Sequence, residues 1–189
     1  MRLLLAGCFA AAISLAAPAM AEPPLPQTDF SGTWVVRDGS GDEMKVAMRY
    51  SAADGAMRVE ISPAGMQISA IRDMQSGDIV MWTSQMPGMG MRVKTPADVE
   101  SRVNATATGE TETVRGETCE IWQVDEGRAC LGEGNVPLRV EVDGTTAELH
   151  DLKREPQEAA HFSPPAGLTV MDMPAAAAMQ GLPLPRLPF

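Results

Sequence analysis

Three residue types in this chain could carry chemistry, and the cysteines come first. Cys119 and Cys130 lie in Gly116–Arg139 (GETCEIWQVDEGRACLGEGNVPLR), on either side of Trp122. There is no C-x-x-C spacing of the redox kind. In an exported chain two cysteines point to one structural disulfide, with free or metal-bound thiols as the minority reading. A two-residue turn at Glu126-Gly127 would set Cys130 opposite Gln123 and leave Cys119 about 13 Å away along the strand. A disulfide tolerates Cα separations of only about 7 Å. A four-residue loop, Gln123–Glu126, sets Cys119 directly opposite Cys130, and that loop is the expectation.

Methionine is the second type, with 14 in the chain. Met81, Met86, Met89 and Met91 stand close together. Thioethers suit soft ions, so these four could form a Cu(I) site. The plainer reading is that methionine takes the place of scarce aromatics and fills a β core or an adaptable apolar cavity. Met44, Met48, Met57 and Met66 fall on alternating positions that packing explains. Histidine is the third type, and only His150 and His161 are present. They supply few bases or nitrogen ligands, and scattered residues define no Ser/His/Asp geometry. Asp38-Gly39-Ser40-Gly41-Asp42 starts like a calcium loop but lacks the later ligands. There is no P-loop and no G-x-G-x-x-G. No enzyme, no cofactor and no metal site other than the Cu(I) alternative is expected.

The elements that must position these residues begin after an export signal. Residues 1–21 combine Arg2, the apolar run Leu3–Ala17, Pro18 and the small-residue site Ala19-Met20-Ala21. Leu5-Ala6-Gly7-Cys8 has the letters of a lipid-attachment box, but too few residues precede Cys8 for a proper apolar region. The segment is also too alanine-rich and short to span a membrane. Residues 22–29 (EPPLPQTD) form a proline-rich leader, 30–171 the folded domain, and 172–189 a disordered Pro/Ala-rich tail. Without Arg2, 14 of the 15 basic side chains remain against 25 acidic ones, a net charge of −11. An acidic chain without a basic cluster argues against nucleic acid.

Within the domain the pattern has period two, with turn signals at short intervals. Asp54-Gly55 is a type I′ hairpin signal that sets Tyr50 opposite Val59, Arg49 opposite Glu60 and Met48 opposite Ile61. Ala64-Gly65 sets Ile61 opposite Ile68 and Val59 opposite Ala70. Asp143-Gly144 sets Val140 opposite Ala147, Leu138 opposite Leu149 and Arg139 opposite Glu148. Asp78–Thr83 is apolar on both faces and so central or covered. Thr95-Pro96-Ala97-Asp98 reads as a helix start carrying Val99 and Val103 on one side, and Pro156–Phe162 as a short helical turn. After Val170 no periodicity remains. About ten short strands and two short helices give a mainly β domain of antiparallel strands.

Gly116-Glu117-Thr118-Cys119-Glu120-Ile121-Trp122, Cys130 with Gly134–Arg139, the earlier Asp54–Glu60 and the later Phe162–Gly167 carry a family resemblance by their order. The chain resembles an uncharacterised bacterial periplasmic family, a domain of unknown function, distantly similar to the lipoprotein carrier and insertase half-barrels of the Lol system. The resemblance implies a single curved antiparallel sheet, a meander-like half-barrel, with one or two short helices on the concave side. It carries no catalytic residue over.

The expected function is that of an exported, periplasmic, non-enzymatic protein. Its apolar concavity, lined by Met44, Met48, Met57, Met66, Met81, Trp34, Trp82 and Trp122, would take a lipid or other hydrophobic small molecule, or an envelope protein. No nucleic-acid partner and no membrane span are expected. Intact mass of protein recovered from the periplasm should correspond to a chain starting at Glu22. A chain starting at a diacylated Cys8 would refute cleavage at Ala19-Met20-Ala21.

Overall fold

The computed structural model describes residues 24–94, 105–124 and 127–173. They form twelve strands: β1 (Phe30–Arg37), β2 (Glu43–Ser51), β3 (Ala56–Ile61), β4 (Ile68–Asp73), β5 (Ile79–Thr83) and β6 (Met89–Val93), then β7 (Ala105–Val114), β8 (Glu117–Val124), β9 (Gly127–Leu131), β10 (Pro137–Val142), β11 (Thr145–Lys153) and β12 (Thr169–Met173). All belong to one open sheet in the order β12-β6-β5-β4-β3-β2-β1-β11-β10-β9-β8-β7. The mainly β expectation therefore holds. Every pairing is antiparallel except that of β12 with β6, which makes the sheet mixed. β12 also continues past Val170, where the sequence pattern stops.

Helical structure among the described residues is limited to single 3₁₀ turns at Pro63–Gly65, Glu133–Asn135 and Ala159–Phe162. The last is the short turn expected over Pro156–Phe162. The helix expected from Thr95 lies outside the described residues. No described helix is long and apolar enough to cross a membrane.

Local chemistry sets two of the turns as expected. Ala64 and Gly65, and Asp143 and Gly144, all have positive φ. The pairings Ile61 with Ile68, Val59 with Ala70, Val140 with Ala147 and Arg139 with Glu148 follow. The β2–β3 hairpin differs. Tyr50 lies opposite Met57, Met48 opposite Val59 and Arg49 opposite Arg58. Gly55 has φ 56°, but Asp54 is not among the residues with positive φ, so no type I′ turn forms. Asp54 is instead held by Ser51: its N–H donates to Ser51 Oγ at 3.2 Å, and the Ser51 hydroxyl donates to Asp54 Oδ2 at 3.0 Å. The two-residue slip keeps every side chain on its expected face, because the strand period is two.

The cysteine hairpin also departs from the expected four-residue loop. β8 and β9 pair as far as Val124 and Gly127, which sets Ile121 opposite Cys130. Cys119 and Cys130 are nevertheless bonded, with Cα atoms 5.4 Å apart. The bond crosses a diagonal of the ladder. Diagonal neighbours stand farther apart than direct partners in a flat pair, and the right-handed twist between strands draws one diagonal together.

One face of the sheet carries a contiguous core: Phe30, Trp34 and Val36 of β1, Val46, Met48 and Tyr50 of β2, Met57 of β3, and Leu138, Val140, Ala147 and Leu149 of β10 and β11. Trp34 is 0% exposed. No described helical layer lies over it, so the sheet must curl on itself to exclude water from that face. Trp34 Nε1 donates to Met48 Sδ at 3.2 Å, and the Phe30 and Tyr50 rings stack at 5.6 Å. Gly32 lets this happen at β1, since a Cβ there would sit 2.8 Å from Leu149 Cδ1 and 2.9 Å from the His150 carbonyl.

Asp29 ties distant segments to the sheet. Its Oδ1 accepts the Ala52 N–H at 2.8 Å and its Oδ2 the Gln157 N–H at 2.9 Å. Arg49 then donates to Gln157 Oε1 at 3.1 Å, and Arg58 to the His161 carbonyl at 2.9 Å. The segment around the last 3₁₀ turn is thus laid against the face opposite the core.

Replacing both cysteines by alanine should leave the far-ultraviolet circular dichroism unchanged. It should lower stability by about 3 kcal/mol, the loop-closure value for a ring of this size, read as a clear drop in Tm. An unchanged Tm would mean that the register of β8 and β9 holds without the bond.

Candidate functional site

Alternation along each strand separates the expected lining residues by face. Trp34, Met44, Met48, Met57, Met81 and Trp122 share the core face, through the pairings Trp34 with Val46, Met57 with Tyr50, Met81 with Ala70, and Trp122 with Ala129. Trp34, Met48, Met57 and Met81 are buried, whereas Met44 and Trp122 are half-buried against the core. Two of the eight do not belong with them. Trp82 follows Met81 in the same strand and faces the other way, with the Arg58 guanidinium 5.4 Å from its ring centroid. Met66 is not on a strand at all. It closes the Pro63–Gly65 turn, its N–H donating to the Pro63 carbonyl.

The core face changes character along the sheet. From β8 round to β2 most of its side chains are buried, with Trp122, Val142 and Met44 half-buried against them. From β3 outward Val59, Ile61, Ile68, Ile79, Met91 and Val93 are only half-buried, although all are apolar. Val59 and Ile61 still pack against the contiguous core, while Met81 is buried apart from it. An apolar strip of the sheet therefore extends beyond the packed core, with Arg72 on the same face opposite Ile79.

Of the four methionines considered for a metal, Met81 and Met91 lie directly opposite each other. Met89 shares their face and is exposed, and Met86 is exposed in the turn between β5 and β6. The sequence gives no hint of Met171, which β12 brings into register with Met91.

The opposite face carries charged side chains, with Val35, Ile71 and Ile121 buried among them. Arg49, Arg58, Glu60, Asp151 and Lys153 line a cleft of about 240 Å³. Arg58 is already engaged by Glu60, with Nε 2.9 Å from Oε1. Farther along, Arg139 reaches over the disulfide to Glu112 at 3.1 Å on one side and to Glu148 at 3.0 Å on the other. Arg115 and His150 approach the same Glu148 carboxylate at 3.7 and 3.3 Å, and His150 Nε2 lacks the alignment for a hydrogen bond. Burial disfavours the charge on Glu148. The Arg139 hydrogen bond and the charges of Arg139, His150 and Arg115 outweigh that and hold the carboxyl below its ordinary 4.5. Beside it, the Arg128 hydrogen bond lowers Glu141.

Glu112, Cys119 and Cys130 come within ligand distance of one another, but both sulfurs are in the disulfide and cannot serve a metal as thiolates. Asp38 is likewise turned inward. Its Oδ1 accepts the Ser40 hydroxyl and the Ser40 and Asp42 N–H groups, which lowers its pKa, first through the Ser40 side chain. These contacts close the Asp38–Asp42 loop on itself.

No family model and no curated protein matches the chain. Its fold is similar to part of PNGF-II, seen in C2 and P21 crystals, with TM-scores of 0.58 and 0.56 at 8% identity. The match covers 80% of this chain but 32% and 33% of PNGF-II, so the chain spans about a third of that protein. An uncharacterised conserved protein of Thermus thermophilus is similar over 78% of this chain and 91% of its own, with TM-score 0.56 and 13% identity. At these identities the likeness is one of fold alone.

The charge network makes a pH prediction. A carboxyl held below 4.5 in the folded state stabilises the fold above that value, and the contribution disappears as pH falls through the lowered value. Glu148→Gln should therefore cost about 2 kcal/mol at pH 7. Between pH 5 and acid its Tm should fall less than that of the wild type. Parallel Tm-against-pH curves for the two would show that Glu148 is not the group responsible.

Proposed function

We propose that this is an exported, non-enzymatic protein of the bacterial periplasm whose sheet takes up a lipid or another apolar ligand. The observation that supports the reading is the half-buried apolar strip formed by Val59, Ile61, Ile68, Ile79, Met91 and Val93 beyond the packed core. Soluble domains do not commonly leave contiguous apolar surface of this kind without a partner for it. Methionine at its end suits a ligand of variable shape, since the thioether chain is unbranched and flexible. The resemblance to Lol-type half-barrels points to acyl chains as the ligand class, and the disulfide is consistent with export. The charged clusters on the other face are paired with one another, which gives no reason to assign them a reaction.

A fluorescent fatty-acid probe should bind delipidated protein saturably and be displaced by lipid. Ile68→Glu and Ile79→Glu place a charge on the strip at half-buried positions. Each should weaken the probe at least tenfold while leaving circular dichroism and Tm close to wild type. A folded, delipidated wild type that binds no probe would overturn the proposal, and so would full affinity in both variants.

A further inference from the structure

Met81, Met91 and Met171 stand in one cross-strand row: Met81 on β5 is opposite Met91 on β6, and Met91 is in register with Met171 on β12. All three lie on the same face, because paired residues in neighbouring strands share a side. Exposure rises along the row, from 3% at Met81, through the half-buried Met91, to 46% at Met171. Met89 is two residues from Met91 on the same face and 43% exposed. Three of the four exposed large apolar side chains among the described residues are methionines, and Met86, Met89 and Met171 all lie at this end of the sheet. Filling a core does not explain them. Core methionines look like Met48 and Met57, which are 2% and 7% exposed.

We propose that the Met81–Met91–Met171 row is a thioether site for a soft monovalent cation, Cu(I). Adjacent strands are about 4.8 Å apart, so the outer two methionines flank the central one at a single strand spacing each. Three rotatable bonds let both outer sulfurs swing toward Met91. Thioethers select Cu(I) over the harder divalent ions, which prefer oxygen and imidazole. Met89, exposed on the same face of β6, offers a further thioether beside the row. The donor set differs from the one local spacing suggests: Met86 leaves it and Met171, contributed by the last described strand, enters. The site does not depend on the apolar-ligand reading, since it needs only the edge of the sheet.

Silver(I), supplied as silver nitrate in chloride-free buffer, is a redox-inert probe with the same ligand preference. Native mass spectrometry should show one tightly held silver per chain. In protein labelled at the methionine methyl carbons, the resonances of Met81, Met91 and Met171 should shift together while those of Met48 and Met57 stay in place. Leucine preserves the volume and removes the sulfur. Met91→Leu combined with Met171→Leu should therefore weaken silver at least tenfold at unchanged Tm, and Met44→Leu should leave it unaltered. The absence of a one-to-one adduct, or an adduct equally tight in the double variant, would overturn the site. Fatty-acid probe binding by the wild type, measured without silver, reports separately on the apolar strip.

Discussion

Among the described residues, a sheet of twelve strands with only isolated 3₁₀ turns beside it has to bury its own apolar face. Every other feature of the molecule follows from that constraint. Trp34 is fully buried with no described helix above it, and the sheet achieves this by curling, led by its inherent twist. The contact that fixes the centre is the indole N–H of Trp34 on the thioether of Met48, on the strand next to it. A buried indole N–H needs an acceptor, and a soft sulfur supplies one without bringing water or charge into the core. Gly32 completes the arrangement by leaving room for Leu149, so that β1 can sit between β2 and β11 without a side chain in the way.

Curling is uneven, and the unevenness separates structure from candidate function. The half from β7 to β2 is packed, crossed by the disulfide and covered on its outer face by Glu112, Arg139 and Glu148. The half from β3 to β12 continues the apolar alternation, interrupted by Arg72 opposite Ile79, with less to pack it against. The strip and the methionine row both lie there. Burial of the first half supplies the stability that lets the second remain partly open. The clamp made by Asp29 ties together chain ends of the packed half, since one carboxylate receives N–H groups from the turn after β2 and from the segment that follows β11.

The charge network above the disulfide has a role that its ionisable groups alone would not suggest. Two carboxylates, two guanidiniums and an imidazole in one place resemble a catalytic cluster. Their geometry instead has Arg139 bridging distant strands, from β10 over the hairpin to Glu112 on β7 and back to Glu148 on β11. Long side chains laid across the pleat exclude water from Cys119 and Cys130, which are buried beneath them.

The amino-acid sequence alone determined the features that depend on neighbours along the chain. Alternation set which side of β2, β3, β10 and β11 faces the core, but not of β5, where both faces are apolar. Positive φ at Ala64-Gly65 and Asp143-Gly144 set two hairpin registers, and two cysteines near one turn set the disulfide. Tertiary structure decided what depends on residues far apart. Asp54-Gly55 looked like the strongest turn signal, yet Ser51 captures Asp54, while Asp29 binds the neighbouring Ala52 N–H, and the register moves by two. The Cys119–Cys130 bond runs along a diagonal because twist is a property of paired strands, not of either one. The parallel pairing of β12 with β6 left no periodic trace after Val170, so nothing local announced that Met171 would lie beside Met91. A strand pairing of that range is chosen by the energy balance of the whole sheet, and no short window of sequence contains it.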